Sequence, residues 1–309
     1  MSTHGAVTSP GAPPVVASRY GPGDEAGAFN EATPAGVRHA AELVRTGRVF
    51  DLSHVLHAAI PAFPGRTFKQ VLTTAAHQLN RRRPDAGARG WGENEVNWIV
   101  EQVEATQQMG THVDALNHLQ VGEQVYNGWT LDEIVEEHGT NRLGIDTLPQ
   151  LVTRGLLVDV AGARGVDRLS AGDVIWPDEV QAILRLGGLE VRPGDALVFH
   201  TGWGGHWDDA AAYLAGEPGP GMAMVDWLAE SRVALVGCDT WSFGPVPPEN
   251  PSRPFEVPQT LNVRHGVVVA ENLRLCDLAA AGVHEFMFVL SHARLRGATG
   301  AWVAPLAIT

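Results

Sequence analysis

Cysteine is scarce in this chain. Its 309 residues include two, Cys238 and Cys276, too few for a disulfide scaffold or a cysteine-built zinc site. Both read as small apolar residues. Positive charge is also short: 22 Lys+Arg stand against 35 Asp+Glu, a net charge of −13. Such a surface lacks the basic face that displaces counterions from nucleic acid. The same deficit argues against docking on anionic lipid. No apolar run approaches the ~18 residues of a membrane span. No basic stretch followed by an apolar one marks the N-terminus, so the expected location is cytoplasmic. Three catalytic signatures are missing too. There is no Gly-x-Ser-x-Gly elbow, and Gly202-Trp203-Gly204-Gly205 lacks the lysine of a phosphate loop. His284-Glu285 lacks the second histidine of a zinc-protease helix.

What is present is globular. Apolar residues make up 44% and charged residues 18%. A chain of this length buries roughly 75% of its unfolded surface, enough for a core without staples. Residues 1–34, rich in Gly, Pro, Ala, Ser and Thr, read as a flexible arm that could wrap a neighbouring subunit. With no linker or repeat beyond it, 35–309 reads as one domain. Periodicity predicts helices over 35–47, 178–186, 222–230 and 275–281. Strands are predicted over 49–53, 97–107, 156–160, 196–200, 233–236, 267–270 and 285–290, with a last one reaching Ile308. Proline marks 245–258 as a loop. The alternation gives α/β or α+β and no more. Residues 77–95 read as a turn-rich loop. Its Arg81, Arg82 and Arg83 read as solvated, with an anionic substrate contact as the sharper alternative.

The chemistry concentrates in Gln108-Met109-Gly110-Thr111-His112-Val113-Asp114-Ala115-Leu116-Asn117-His118. Gln108, His112, Asp114 and His118 share even parity. On extended chain, residues two apart point to one side, so His112 and Asp114 can grip one cation. Imidazole plus carboxylate suits Zn, Mn or Fe. Gly110 permits a bend that brings Gln108 alongside.

Gly110-Thr111-His112-x-Asp114-x-x-x-His118 resembles the signature of the metal-dependent cyclase family, which includes kynurenine formamidases and isatin hydrolase. The resemblance extends from about residue 50 to the end, in the family's order. Asp51-Leu52-Ser53-His54 with Phe63-Pro64-Gly65 is similar to the family's opening strand and loop. Gly194-Asp195 through His200-Thr201-Gly202-Trp203, Gly237-Cys238-Asp239-Thr240 and Glu271-Asn272-Leu273 are similar to its later elements, as are Gly297-Ala298-Thr299-Gly300 and Pro305-Leu306-Ala307. Departures accompany it. The family's leading histidine is Gln108 here, its motif proline is Leu116, and the histidine before the Glu-Asn-Leu element falls at Pro258-Gln259.

The resemblance implies an α/β fold, a mixed, barrel-like curved sheet with outer helices. It implies a metal held by His112 and Asp114, with Gln108 and Gln259 in the places of the lost imidazoles. That oxygen-rich set points to one divalent ion per chain, Mn²⁺ ahead of Zn²⁺. His118 resembles the family's catalytic histidine. Glu271 resembles a carboxylate that acts on the metal or behind it, and the missing partner histidine favours the place behind. Trp98, Trp129 and Trp241 are candidates for an apolar substrate pocket. The implied activity is metal-dependent hydrolysis of a small amide, lactam or lactone to a carboxylate. The alternatives are a cyclase or dehydratase acting on a polyketide-like substrate, and a metal-binding protein without turnover. The expected partners are a small-molecule substrate and further copies of the chain, as a homodimer or homotetramer.

Overall fold

The structure, a computed structural model, describes residues 17–75, 78 and 90–309. Most of the loop with Arg81, Arg82 and Arg83 lies outside the described residues, as does the arm before residue 17.

The chain builds a curled, nine-stranded mixed sheet from β1 (Val49–Asp51), β4 (His112–Asp114), β5 (Leu151–Asp159), β6 (Ala196–His200), β7 (Leu235–Cys238), β8 (Val268–Glu271), β9 (Glu285–Leu290), β10 (Gly300–Trp302) and β11 (Leu306–Ile308). Two further strands, β2 (Phe68–Ala75) and β3 (Ile99–Ala105), pair only with each other. Across the large sheet the order is β1-β11-β9-β5-β6-β7-β8-β4-β10. The central strands β5 to β8 run parallel. The flanking pairs, β5·β9 on one side and β8·β4·β10 on the other, are antiparallel.

The parallel strands are apolar on both faces, as strands covered on both sides must be. Leu156 and Val158 of β5, Leu197 and Phe199 of β6 and Val236 of β7 face one core cluster. Leu157, Ala196, Val198, Leu235 and Val268 face the other. Three helices cover the first face: α2 (Pro177–Leu186) with Val180 and Leu184, α3 (Met222–Glu230) with Met224, Val225 and Leu228, and α4 (Glu256–His265) with Val257 and Leu261. Proline at the first helical position pre-sets φ and starts α2 cleanly. The opposite core is filled by Phe286 and Phe288 of β9 together with Leu273, Leu275 and Leu278.

The predicted elements recur with shifted ends. Helix α1 spans Pro34–Glu42 rather than 35–47, with Thr33 accepting from the Gly36 N–H as its N-cap. Strand β5 begins at Leu151, five residues before its expected start. The proline-rich loop gives way to α4 at Glu256. The expected arm is corrected over 18–33, which is fastened to the body. Phe29 is 2% exposed in the main core. The Tyr126 hydroxyl donates to Asp24, Arg142 pairs with Glu25 and Arg232 with Glu31. Few large apolars are needed to hold a segment whose carboxylates find partners. Among the described residues no helix is long and apolar enough to cross a membrane. Cys238 is buried and Cys276 exposed, both unpaired.

Candidate metal centre

The sheet register assembles the centre. In the antiparallel ladder Glu271, the last residue of β8, stands directly opposite His112 of β4, and Gly300 of β10 stands opposite Asp114. Directly opposed residues place their Cβ atoms about 4.5–5.5 Å apart on one face. His112 and Asp114, two apart on β4, share that face. All three are buried, at 1%, 5% and 6% exposure for His112, Asp114 and Glu271. One ligand atom from each lies within 4.8 Å of the others.

Two glycines shape the place. Gly110 has φ +65°, and a Cβ there would sit 2.1 Å from Leu56. The left-handed turn it permits carries the chain from Gln108 into β4. Gly300 leaves the space that Gln108 fills, since a Cβ on it would lie 2.9 Å from Gln108 Nε2 and 3.4 Å from Asp114 Oδ1. The Gln108 amide donates to Thr299 Oγ1 at 3.0 Å.

The hydrogen bonding argues for a cation. His112 Nδ1 lies 2.9 Å from the Gly110 carbonyl and donates to it. A neutral imidazole so bonded carries its lone pair on Nε2. That atom faces Glu271 Oε2 at 3.3 Å and Asp114 Oδ1 at 3.6 Å. His112 Nε2 and Asp114 Oδ1 are both buried without a hydrogen-bond partner among the described residues. Lone pairs converging in a dry place repel unless a proton or a metal ion sits among them. The titration directions agree. Burial works to lower the His112 pKa, but the close approach and charge of Glu271, with the charge of Asp114, hold it above its ordinary value. Burial and the Asp114 charge push the Glu271 carboxyl up, against His112. A His-Asp-Glu set with an amide at its edge is oxygen-rich and fits a divalent ion of harder character.

His118 is brought in by a turn rather than by strand parity, its N–H donating to the Ala115 carbonyl at 3.1 Å. Its Nε2 lies 3.8 Å from Asp114 Oδ2, and the ring is a quarter exposed. It opens on a cavity of about 290 Å³ whose walls include Phe63, Arg66, Trp241, Ser242 and Phe255. Trp241 meets Phe63 edge-on at 4.7 Å and Phe255 at 6.1 Å. Arg66 donates to the Gln108 carbonyl at 2.5 Å, which holds its guanidinium at the rim.

The other expected site residues lie elsewhere. Gln259 Nε2 donates to the Gln120 carbonyl at 2.6 Å, and its neighbour Pro258 is the residue that reaches the cavity. Trp98 is 42% exposed beside Trp91. Trp129 packs on the core under the Arg142 guanidinium, 4.4 Å from its ring. Glu271, expected behind the ion, stands in the cluster itself. Arg66, Ser242 and Phe255 were not singled out from sequence. Arg66 follows the Phe63-Pro64-Gly65 loop and Phe255 sits in the proline-rich loop, so position was the available signal.

A larger cavity, of about 420 Å³, opens beyond the ends of β5 and β6. His200 Nδ1 there donates to Asp159 at 2.7 Å. Among the described residues its walls hold no group of three His, Cys, Asp or Glu whose ligand atoms converge, so volume is a poorer guide here than donor geometry. The pair does affect stability. Burial would raise the Asp159 carboxyl, but the bonds from His200 and Gly162 hold it below its ordinary value. Burial would lower His200, but Asp159 holds it above 6.5. A raised imidazole contributes fully below its unfolded pKa and loses that contribution as pH climbs through the folded value. The depressed carboxyl contributes above its unfolded pKa and loses that only in acid. The melting temperature is therefore expected to fall as pH rises above about 6.5, and to fall less in Asp159→Asn. Calorimetry across that range checks it; equal slopes would remove the pair from the account.

The comparisons with known proteins agree with this arrangement. No curated protein sequence matches the chain. A crystal structure described as a novel cyclase is similar at 28% identity and a TM-score of 0.83, covering 94% of this chain and 98% of that one. Isatin hydrolase A from Ralstonia solanacearum is similar at 20% identity and a TM-score of 0.62, covering 88% and 94%. Isatin hydrolase A from Labrenzia aggregata, bound to benzyl benzoate, follows at 19% and 0.60, covering 87% and 94%. These last two establish likeness of fold. The family model of the cyclases matches residues 50–245, which carry β4 and most of the cavity wall. By that match, and by the sheet that sets His112 against Glu271, the chain belongs to the cyclase family.

Proposed function

We propose that this protein is a metal-dependent hydrolase that opens or cleaves a small amide, lactam or lactone to give a carboxylate. One observation carries the reading: buried, unpartnered His112 Nε2 and Asp114 Oδ1 face Glu271 beside an aromatic-walled cavity that His118 enters. His112, Asp114 and Glu271 would hold one divalent ion, Mn²⁺ ahead of Zn²⁺, with the Gln108 amide at its edge. Such an ion, when bound, lowers the pKa of water and polarises a carbonyl.

The chain's own residues supply the rest. Phe63, Trp241 and Phe255 exclude water from the apolar body of the substrate. His118 Nε2 takes the proton released by the attacking water and returns it to the leaving nitrogen or oxygen. Its neighbour Asp114, with Oδ2 at 3.8 Å from that nitrogen, orients the ring. The Arg66 guanidinium stands where it can hold the carboxylate that forms. No side chain is assigned as a covalent nucleophile.

The test is metal analysis of the purified protein, followed by a screen of N-formyl-arylamines, isatins, cyclic imides and lactones. About one divalent ion per chain and release of a carboxylate sustain the reading. Full activity in excess chelator would end it, and ring closure without carboxylate release would favour the cyclase alternative. His118→Ala is expected to keep the metal and lose about 10²–10⁴ in rate, the usual contribution of acid–base help. Unchanged turnover would remove that role.

The assembly is proposed as a homodimer or homotetramer. The β2–β3 pair hydrogen-bonds to no strand of the large sheet and exposes Val71, Leu72, Ile99, Val100 and Val103. An isolated hairpin is marginal in water, and a second copy of the chain would cover it. Sedimentation of wild type against Leu72→Asp tests this, a monomeric wild type being the adverse result.

A further inference from the structure

We propose that Tyr213 and Asn272 are positioning residues of the metal centre: the tyrosine hydroxyl holds a left-handed turn at Asn272, and that turn fixes Glu271 against His112 and so raises affinity for the ion. This rests on the metal-binding half of the reading above, not on the reaction, and names what arranges the ligands before an ion arrives.

Asn272 directly follows Glu271, the last residue of β8. Its φ is +55°. Residues other than glycine seldom take that conformation, though asparagine does so more readily than most. It persists where the surroundings over-determine it, and here they do. The Asn272 N–H donates to the Thr240 carbonyl at 2.9 Å. The Asn272 carbonyl accepts the Thr111 hydroxyl at 2.7 Å. Thr111 precedes His112, so this bond ties the start of β4 to the end of β8 where His112 and Glu271 stand opposed. The Thr111 oxygen in turn accepts the His54 N–H at 2.9 Å. Asn272 is 5% exposed, and its amide lies against the His112 ring, 3.5 Å from Nδ1.

Tyr213 holds the other edge of that amide. It lies on the short helix Ala210–Leu214, outside every motif singled out in the sequence, and is 1% exposed. Its hydroxyl donates to Asn272 Oδ1 at 2.7 Å, while the next acceptor, the Asp239 carbonyl, is at 3.3 Å. A tyrosine hydroxyl has one hydrogen, so the nearer acceptor takes it. The tyrosine is itself anchored. Its carbonyl accepts the indole N–H groups of Trp203 and Trp241 at 3.0 and 3.1 Å, and Trp207 packs edge-on against its ring at 5.3 Å. A fixed donor therefore meets the residue whose backbone joins the two ligand strands. Without that hydroxyl, Oδ1 is left buried with no donor, and the left-handed turn loses a bond that offsets its strain. Glu271 is then freer to turn away from His112, and partners that orient metal ligands typically contribute about 10–100-fold.

The test titrates the full chain, stripped with chelator, with Mn²⁺ and with Zn²⁺. Electron paramagnetic resonance reads free Mn²⁺, and calorimetry reads Zn²⁺. Tyr213→Phe removes the hydroxyl and keeps both the ring and the carbonyl that holds Trp241. It is expected to weaken binding of the ions roughly 10–100-fold. Asn272→Gly accepts the positive φ without strain and is expected to weaken binding by a similar factor. The double variant is expected to be no weaker than Asn272→Gly, because both substitutions break one bond. A merely structural hydroxyl would lower the melting temperature of the metal-free protein and leave the metal constants unmoved. Wild-type affinity in Tyr213→Phe overturns the proposal, as do losses that add in the double variant. Should Tyr213→Phe fail to fold, by circular dichroism, Asn272→Gly decides alone, and unchanged affinity there overturns it. A wild type that binds metal but cleaves nothing in the screen ends the hydrolytic reading and leaves this inference standing. A wild type that binds neither ion overturns both.

Discussion

Asp114→Ala and His112→Ala are expected to lower bound metal from about one ion per chain to near zero, and activity with it. Each substitution removes a ligand atom from the only cluster of its kind among the described residues. Asp114 has a second task, since its other oxygen lies 3.8 Å from His118 Nε2. Its loss therefore removes the cation and frees the imidazole together. Glu271→Gln is expected to weaken the metal more than a carboxylate acting behind it would, because Glu271 stands opposite His112 in the ladder. Outer partners of metal ligands typically cost about 10–100-fold when removed; a direct ligand costs more. Elemental analysis of each variant, with thermal melting to show that it folds, checks the set. Full metal occupancy in Asp114→Ala would move the site elsewhere.

Arg154→Met is expected to destabilise the protein by about 3–5 kcal/mol, the usual cost of breaking a buried ion pair from one side. The Arg154 side chain is 3% exposed on β5. It reaches Asp195 through two nitrogens at 3.0 and 2.7 Å, Glu285 at 2.8 Å and the Glu190 carbonyl at 2.5 Å. These contacts tie β5 to β9 and to the turn that opens β6. Methionine fills similar volume but leaves the Asp195 carboxylate buried with only the Arg192 N–H beside it. Denaturant unfolding at neutral pH measures the loss. The double variant Arg154→Met with Asp195→Leu is expected to recover much of it, because removing both charges also removes the desolvation cost. A single variant as stable as wild type would show that the packing, not the pair, holds this junction.

Local chemistry was legible because it is local. The strands 196–200 and 285–290 and the helix 222–230 stand where apolar periodicity puts them. His112 and Asp114 sit two apart on a buried strand, so strand geometry alone aims them together. The tilt of composition toward acid, and the absence of nucleophile and phosphate-loop motifs, needed no structure to interpret.

Relations between distant segments were not legible. The place of Glu271 depends on β8 lying antiparallel to β4 with Glu271 opposite His112, a register set by packing across some 160 residues of chain. Gln259 follows Pro258 in sequence, yet the turn of α4 sends its amide to Gln120 and lets the proline face the cavity. Trp98, Trp129 and Trp241 are alike in composition and differ only in what their strands and loops pack against. By itself the sequence determined which donors exist and which neighbours on one strand share a face, because side-chain direction alternates with the backbone. Only the tertiary structure decided which donors meet, because sheet register, helix phase and the space left by Gly300 are properties of segments packed together.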